Sequence, residues 1–396
     1  MRPPKVYSID FHMIPSKKID MHAFVIIETL RLNGHLAFLV GGSVRDLLLN
    51  VRPKDFDIAT SAKPEEIKKV FYKKCILIGK RFRLAHVRFG KKIIEVSTFR
   101  SGETEEQSLI LKDNIYGSPN EDALRRDFTI NGLFYDPEVQ TIIDYVDGYS
   151  DVEKRILRTI GDAKARFIQD PVRMIRLIKF KARFEDFTIE KNTYNALIEC
   201  KDEINKSSPA RILEELFKML NSVSSFRFFY LLNESGILSI LSKNLSKFFN
   251  DYKNIGLLLK ELDKINNENY PHELERAVLI SIFLFDPLKD RLEKNYKDKI
   301  NQFHLGIIAS ESFKIINDVF RPFFLIPRKM KAEIVSILMN QFRIFPLFNI
   351  QNKIKIPKDP FFYLSLKFYK IRCMLDPNLL SNYEMWSEKF SKRKNH

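Results

Sequence analysis

The sequence predicts an α+β fold in which a head containing strands is followed by an all-helical remainder. Two observations carry this prediction. Short runs rich in β-branched and aromatic residues predict strands near 36–40, 54–59, 84–89, 93–99 and 142–146. After about residue 150 the pattern becomes helical and stays so. Strands and helices thus occupy different parts of the chain, which is typical of this fold class.

The head is predicted to open with a polar lead-in at residues 1–20. Its helices are expected at 20–33, at 44–49, from Lys63 and Pro64 onward, and from Pro119 to Phe134. Proline at position 64 favours a helix start, because its missing N–H is not needed in a first turn. The acidic and polar segment 101–114 predicts a flexible loop.

The remainder of the chain is predicted to be helical in the segments 209–220, 225–241, 251–265, 272–285, 306–320, 329–341 and 360–374. The most apolar run, Ala277–Phe285, is too short to span a bilayer and is expected to be a buried helix. We predict three parts: a head at 1–150 with its core at 20–135, a helical neck at 151–205, and a helical body with a basic C-terminal part at 206–396.

The composition indicates a globular protein with a polyanionic partner. Hydrophobic residues make up 45% of the 396 positions, which is too many for a disordered chain. Lys and Arg number 66 against 50 Asp and Glu, so the net charge is +16. A charge of this size favours nucleic acid as a partner. The three cysteines are far apart and no apolar leader is present, so the sequence predicts a cytoplasmic protein without a membrane partner.

A glycine turn followed by two carboxylates is the strongest chemical motif. An apolar strand at 36–40 leads into Gly41 and Gly42, where backbone N–H groups could approach a triphosphate closely. Asp55 and Asp57 follow at a spacing of two, which would place them on one face of a strand. Two such carboxylates can hold two divalent metals about 4 Å apart for phosphoryl transfer. The pattern therefore predicts nucleotide chemistry.

Two residues compete for the role of a third carboxylate. Glu95 stands alone in an apolar strand, where an isolated charge needs a reason. Asp127 lies in the polar segment that follows Arg125 and Arg126. The two assignments are not exclusive, and either carboxylate could instead pair with a nearby arginine.

Several arginines are candidates for nucleotide binding. Arg45 follows the glycine turn by three residues and could reach phosphate or ribose. Asp170, Arg173 and Arg176 recur at a spacing of three, which places them along one helix face. An acceptor and a donor side by side can bind the edge of a base. Spacing alone is also compatible with a helix cap and a surface ion pair.

Four ordered motifs together resemble the class II nucleotidyltransferases of the DNA polymerase β superfamily, which include bacterial poly(A) polymerases and tRNA CCA-adding enzymes. The motifs lie within residues 20–220 and are Gly41-Gly42-Ser43-Val44-Arg45-Asp46, Asp55-Phe56-Asp57, Arg125-Arg126-Asp127-Phe128-Thr129-Ile130-Asn131 and Asp170-Pro171-Val172-Arg173-Met174-Ile175-Arg176. The resemblance implies a polymerase β-like head followed by an all-α neck, body and tail.

The resemblance also implies a role for each matching residue. Asp55 and Asp57 match the metal ligands, and Asp127 matches the aspartate counted as the third catalytic residue. The residues that match nucleotide-binding positions are Gly41, Gly42, Arg45, Arg126, Asp170, Arg173 and Arg176. Asp170 and Arg173 among them would act as a protein template for the incoming base. Two Mg²⁺ ions, with Mn²⁺ as an alternative, and ATP as substrate are implied.

Two positions depart from the family pattern, and other segments favour one branch. Gln169 stands where the family often has glutamate, and Lys179 replaces an arginine of the CCA-adding enzymes. Segment 79–87 resembles the poly(A) polymerase branch. We therefore expect template-independent addition of AMP to RNA 3′ ends by a monomer. The alternative is a CCA- or A-adding enzyme acting on tRNA, and a remote alternative is an inactive RNA-binding protein on the same scaffold.

Overall fold

The computed structural model describes residues 3–79, 84–101, 115–268, 274–296, 305–344 and 356–394, and it separates into two compact units. The first unit comprises residues 1–173 and 184–200, and the second comprises 174–183 and 201–396. The first unit holds the strands that the structure describes, whereas the second is helical. The predicted α+β class is therefore confirmed, although two short strands, Ile156–Leu157 and Thr188–Ile189, interrupt the region after residue 150 that was expected to be helical throughout. The three-part division at 150 and 205 stays a prediction.

The strands of the first unit are β1 Lys5–Tyr7, β2 Ala37–Val40, β3 Asp57–Thr60, β4 Cys75–Ile78, β5 Leu84–Phe89, β6 Lys92–Thr98, β7 Leu133–Asp136, β8 Thr141–Asp144, β9 Ile156–Leu157 and β10 Thr188–Ile189. The first eight form one sheet in the order β1-β8-β7-β2-β3-β6-β5-β4. Neighbouring strands run antiparallel except β3 and β6, which are parallel. The strands β9 and β10 form a separate parallel pair.

The helices of the first unit are α1 Ile9–His12, α2 Met21–Leu32, α3 Gly42–Leu48, α4 Pro64–Phe71, α5 Pro119–Leu124, α6 Gly148–Glu153, α7 Ala163–Gln169 and α9 Lys191–Cys200. Helix α8, Val172–Arg183, begins in this unit. The predicted helix at 20–33 is confirmed, and the Asp20 carboxylate caps it by accepting hydrogen bonds from the His22 and Ala23 N–H groups. The aromatic rings of Phe38, Phe99 and Phe134 pack on the sheet.

The structure corrects the expectations for the head at several points. The polar lead-in expected at 1–20 contains β1, which pairs with β8, and α1. The helix expected from Pro119 to Phe134 ends at Leu124, since the chain turns there toward β7. Strand β3 begins at Asp57 and not near 54, and β4 was not expected. Of the loop predicted at 101–114, only Ser101 belongs to the described residues.

The second unit continues with α10 Pro209–Leu220, α11 Ser225–Glu234, α12 Ile237–Leu241, α13 Lys243–Asp251, α14 Lys253–Glu268, α15 Arg276–Tyr296, α16 Leu305–Phe320, α17 Arg328–Ile344, α18 Phe362–Cys373 and α19 Leu380–Lys394. The run Ala277–Phe285 is buried within α15, as predicted. Gly236 has a φ of 79°, and this left-handed residue divides the helix expected at 225–241 into two. Helices α13 and α19 were not predicted, because both segments are rich in polar residues.

Candidate active site

The glycine turn lies at the end of a central strand and tolerates little besides glycine. Strand β2 ends at Val40, and Gly41 follows with a φ of 70°. This backbone conformation favours glycine, and a Cβ atom at Gly41 would lie 3.0 Å from Nη1 of Arg126, so a side chain there would also need that guanidinium to move. The Gly41 N–H donates to the Leu133 carbonyl at 3.3 Å, which fixes the turn against β7.

Strand register brings two of the predicted carboxylates to this turn. In the antiparallel pair β2 and β3, Asp57 lies opposite Val40, the residue before the turn. In the parallel pair β3 and β6, Ile58 lies opposite Val96. One residue earlier on both strands, Asp57 and Glu95 are therefore neighbours on the same face. Asp55 lies just before β3 and is exposed, so the expectation of two aspartates within one strand was wrong.

The carboxylate of Asp57 is destabilised in its charged form. Burial, together with the nearby negative charges of Glu95 and Asp55, raises the pKa of Asp57 from 3.8 to about 6, although the positive charge of Arg126 acts in the opposite direction. Asp55, Asp57 and Glu95 therefore form one electrostatic group, which we call the acidic cluster.

The acidic cluster has the donor chemistry that a hard divalent cation requires, since carboxylate oxygens are preferred ligands of Mg²⁺. A bound cation would also relieve the repulsion that raises the pKa of Asp57. Within the described part of the chain, no three His, Cys, Asp or Glu side chains are arranged to hold a metal ion by themselves. The residues thus fit a Mg²⁺ ion whose coordination is completed by water and substrate phosphates, as is usual for this metal.

The two rivals for the third carboxylate lie in different surroundings. Glu95 belongs to the acidic cluster and pairs with His86 on β5 at 3.3 Å when that histidine is protonated. Asp127 instead accepts hydrogen bonds from the Phe128 N–H at 2.9 Å and from Nδ2 of Asn131 at 3.0 Å. The geometry therefore associates Glu95 with Asp57, and it holds Asp127 in a hydrogen-bonded turn with Phe128 and Asn131.

Arg45 is held inside the protein. Its side chain is 3% exposed, and its guanidinium donates to Asp46 at 2.7 Å and to Oδ1 of Asn131 at 2.6 Å. The guanidinium also lies over the ring of Phe184, 5.1 Å from the ring centre. Because Asn131 binds both Arg45 and Asp127, one network joins two of the predicted motifs. Arg45 also lies beside the glycine turn, since a Cβ atom at Gly42 would be 3.4 Å from its Nη2.

Arg126 connects the glycine turn to the acidic cluster. Its guanidinium donates to the buried Asp122 carboxylate at 2.9 Å and lies over the ring of Phe134 at 5.4 Å. The same group lies against Gly41, and its positive charge partly offsets the rise in the pKa of Asp57. A cation in this position can attract an anionic ligand bound at the turn.

Three arginines lie close enough for their charges to interact, and we call Arg125, Arg166 and Arg173 the arginine cluster. Arg173 is 6% exposed and donates to the backbone carbonyls of Arg125 at 3.2 Å and Arg166 at 3.4 Å. Burial and the positive charges of Arg173 and Arg125 lower the pKa of Arg166 to about 10. Gln169, which is buried, offers its Oε1 to Nη1 of Arg166 at 3.5 Å. Asp170 lies two residues before α8.

Arg176 belongs to the second unit, where it forms an ion pair with the buried carboxylate of Glu215. Glu215 is 3.4 Å from Arg176 and 3.1 Å from Lys179, and Lys218 also lies nearby at 3.7 Å. Although burial acts in the opposite direction, these charges lower the pKa of Glu215. Lys179, which departs from the CCA-adding pattern, thus has a structural partner.

Sequence reasoning missed the residues that hold the predicted ones in place. Asp122 binds Arg126, Asn131 links Arg45 to Asp127, and Arg166 lies beside Arg173. Asp122 and Arg126 are spaced by four on adjoining turns, so an i,i+4 search could have found that pair. The Arg45 and Asn131 pair is separated by 86 positions, and no local pattern predicts it.

The fold and the site define a nucleotidyltransferase with a head of the polymerase type. Residues 37–158 match the sequence model of the poly A polymerase head domain, and residues 186–249 match that of the probable RNA and SrmB-binding site of polymerase A. Poly(A) polymerase I of Haemophilus influenzae is 34% identical over 84% of this chain and 76% of its own length. The chain therefore belongs to the family that contains the bacterial poly(A) polymerases and the CCA-adding enzymes.

Relatives from both branches are similar to the chain. Poly(A) polymerase I of Escherichia coli is 36% identical over 78% of this chain and 68% of its own length. The CCA-adding enzyme of Lactobacillus johnsonii is 34% identical over 69% of this chain and 74% of its own length. The solved CCA-adding enzyme of Bacillus stearothermophilus in complex with CTP shares the fold, with a TM-score of 0.61, 24% identity, and coverage of 93% of this chain and 82% of that one.

Among the described helices, none combines the length and the apolar character needed to cross a membrane.

Proposed function

We propose that this protein transfers AMP from ATP to the 3′ ends of RNA without a template. The observation that carries the proposal is the acidic cluster beside the glycine turn, where Asp57 is adjacent to Glu95 and the turn is backed by Arg126. Family membership supports nucleotidyl transfer, and the match to the probable RNA-binding region of polymerase A supports an RNA acceptor.

In the proposed reaction, the RNA 3′-hydroxyl attacks the α-phosphate of ATP and pyrophosphate leaves. Asp55 and Asp57 would hold two divalent metals, and Glu95 adds charge to the same cluster. The metals, when bound, would supply charge neutralisation and lower the pKa of the attacking hydroxyl. The backbone N–H groups of the glycine turn and the Arg126 guanidinium would hold the triphosphate in line for attack.

Asp170 and Arg173 would select the base. A carboxylate accepts from an exocyclic amino group, and a guanidinium donates to a ring nitrogen or carbonyl oxygen. The backbone carbonyls of Arg125 and Arg166 hold Arg173, which would reduce the freedom that its side chain loses on binding. Arg176 would contact a phosphate or base, and Asp127 would act through its hydrogen bond with Asn131.

CCA addition to tRNA is the second candidate, because CCA-adding enzymes of similar identity share both sequence and fold with the chain. The matches to poly(A) polymerase I extend over more of the chain, which favours the first proposal. Part of segment 79–87, on which the branch assignment was based, lies outside the described residues. We further propose that the protein acts in the cytoplasm as a monomer.

Primer extension distinguishes the two candidates. Purified protein with Mg²⁺ is given an unstructured RNA with ATP alone, or a tRNA that lacks its CCA end with CTP and ATP. A long ladder on the first RNA is expected. Addition that begins with CTP on the tRNA and stops at the third nucleotide would instead establish a CCA-adding enzyme, and no addition in either reaction would refute nucleotidyl transfer.

A further inference from the structure

A cavity of about 190 Å³ lies in the second unit and is bounded by residues of α14, α15 and α18 and of the segment 375–379 that follows α18. Its apolar wall includes Leu258, Ile282 and Phe285, which are themselves buried. Pockets for drug-sized ligands usually have about 300–1,000 Å³, so this cavity suits a smaller group. It lies outside residues 186–249, which match the family's probable RNA-binding region.

Arg372 supplies the main hydrogen-bond donor of the cavity. Its Nη1 donates to Oε1 of Gln341 at 3.0 Å, and its guanidinium carbon lies 3.9 Å from the centre of the Phe285 ring. In the described part of the chain, no carboxylate comes within 4.0 Å of its guanidinium nitrogens, so no ion pair ties up the group. Burial lowers the pKa of Arg372, although Asp286 and Asp376 act in the opposite direction.

Two carboxylates and a second cation complete the polar side of the cavity. Asp286 and Asp376 line it together with Lys289, and Asp376 accepts a hydrogen bond from the Asn378 N–H at 3.1 Å. With Arg372, the formal charges of these four side chains cancel. The two carboxylates would repel a phosphate, whereas a neutral group with both donors and acceptors can satisfy carboxylate and guanidinium together.

We propose that this cavity binds one nucleobase of the RNA, and that this base carries an exocyclic amino group, as adenine does. The apolar wall would cover the faces of the ring, Arg372 would donate to a ring nitrogen, and Asp286 would accept from the amino group. The inference rests on the proposed RNA substrate, and it adds a site that reads base identity within the RNA already bound.

The test measures binding of short RNA oligomers of equal length by fluorescence anisotropy. Wild-type protein should bind an oligomer of adenosine about tenfold more tightly than one of purine riboside, which differs only by the absent amino group. Asp286→Ala should weaken adenosine binding by about tenfold and leave uridine binding within twofold. Asp290→Ala, one turn further along α15, removes the same charge outside the cavity and should change neither value.

Arg372→Lys, which keeps the charge but loses the planar fork, should reduce the preference for adenosine about fivefold in a protein with unchanged circular dichroism. Equal weakening for all oligomers, with a reduced dependence on salt, would point to a phosphate and overturn the proposal. Equal binding of adenosine and purine riboside oligomers by wild-type protein would overturn it without any variant. Nucleotide addition by the control Asp290→Ala should match wild type, whereas absence of addition by wild type would refute the proposed function itself.

Discussion

The first unit of this protein contains two clusters of charged side chains, one negative and one positive: the acidic cluster and the arginine cluster. In the acidic cluster, burial and neighbouring carboxylates raise the pKa of Asp57 to about 6. In the arginine cluster, burial and neighbouring guanidinium groups lower the pKa of Arg166 to about 10. Each cluster keeps a charge that its surroundings disfavour. The difference in sign indicates which ligands each can stabilise: cations at the first, and groups rich in hydrogen-bond acceptors at the second.

The largest expected effect comes from removing a carboxylate of the acidic cluster. Asp55→Ala and Asp57→Ala should each lower the rate of nucleotide addition by about 10³-fold or more, because a metal ligand contributes several kcal/mol to the transition state. RNA affinity should change by less than about threefold. The measurement is single-turnover primer extension with Mg²⁺, accompanied by anisotropy.

Asp147→Ala is the matched control, since Asp147 is an exposed aspartate of the same unit that pairs with Lys5. It should leave the rate unchanged. Full activity of an Asp55 and Asp57 double variant would refute the metal-binding role.

The second effect is on stability and follows from the raised pKa of Asp57. The folded state binds the Asp57 proton more tightly than the unfolded state does, so this group's contribution to stability is lost as the pH rises from about 3.8 to about 6. Above that range the ionised carboxylate costs up to about 3 kcal/mol. Asp57→Asn should therefore raise the free energy of unfolding of metal-free protein at pH 8, with little change near pH 4.

Denaturant titrations of wild type and Asp57→Asn at the two pH values, in the presence of a chelator, measure this difference. Mg²⁺ with ATP should stabilise wild type more than the variant, because the variant lacks one ligand. If Asp57→Asn were less stable than wild type at pH 8, the inference that ionised Asp57 destabilises the metal-free protein would be wrong.

The two clusters also differ in how far sequence reasoning could predict them. The pair Asp55 and Asp57 was predicted, and Glu95 was one of two candidates, with Asp127, for a third carboxylate; pairing of β3 with β6 brings Glu95 to Asp57. The geometry of the acidic cluster was predicted incorrectly, since Asp55 lies outside β3. The arginine cluster was predicted only through Arg173. Arg125 and Arg166 join it from a separate turn and helix, and such contacts are set by packing rather than by spacing.

The fold shows the same difference between elements that local sequence predicts and elements that depend on contacts distant in sequence. Helices with a clear cap or an initial proline, such as α2 and α10, were predicted almost to the residue. The short strands β1 and β4 were missed, because their stability comes from pairing with β8 and β5 and not from their own composition.

A smaller effect is expected on base choice. Arg173→Ala should reduce the preference for ATP over CTP by about 10–100-fold, since one bidentate contact contributes about 1–3 kcal/mol of discrimination. RNA affinity should fall by less than about threefold, because the arginine would contact the incoming nucleotide. Competition between labelled ATP and CTP in a single-addition assay measures the preference.

Arg155→Ala, at an exposed arginine of the same unit, should keep the wild-type preference. A thermal melt is needed for both variants, because Arg173 is buried and bonded to two backbone carbonyls. An unchanged ATP to CTP ratio in folded Arg173→Ala would remove the template role from this residue.

The smallest expected effect concerns the uncompensated positive charge of the arginine cluster, which an added carboxylate should stabilise. Gln169 is buried and meets Arg166 through Oε1, so Gln169→Glu places a carboxylate among three guanidinium groups. The pKa of Arg166 should rise, and the protein should gain about 1 kcal/mol of stability at pH 7.

Gln341→Glu is the contrasting variant, because Gln341 accepts a hydrogen bond from one arginine and also donates from Nε2 to two backbone carbonyls. It should lose stability, since a carboxylate cannot donate those bonds. If both variants lost stability equally, the surroundings of Gln169 would hold no excess of positive charge, and the proposed contrast between the acidic and arginine clusters would fail.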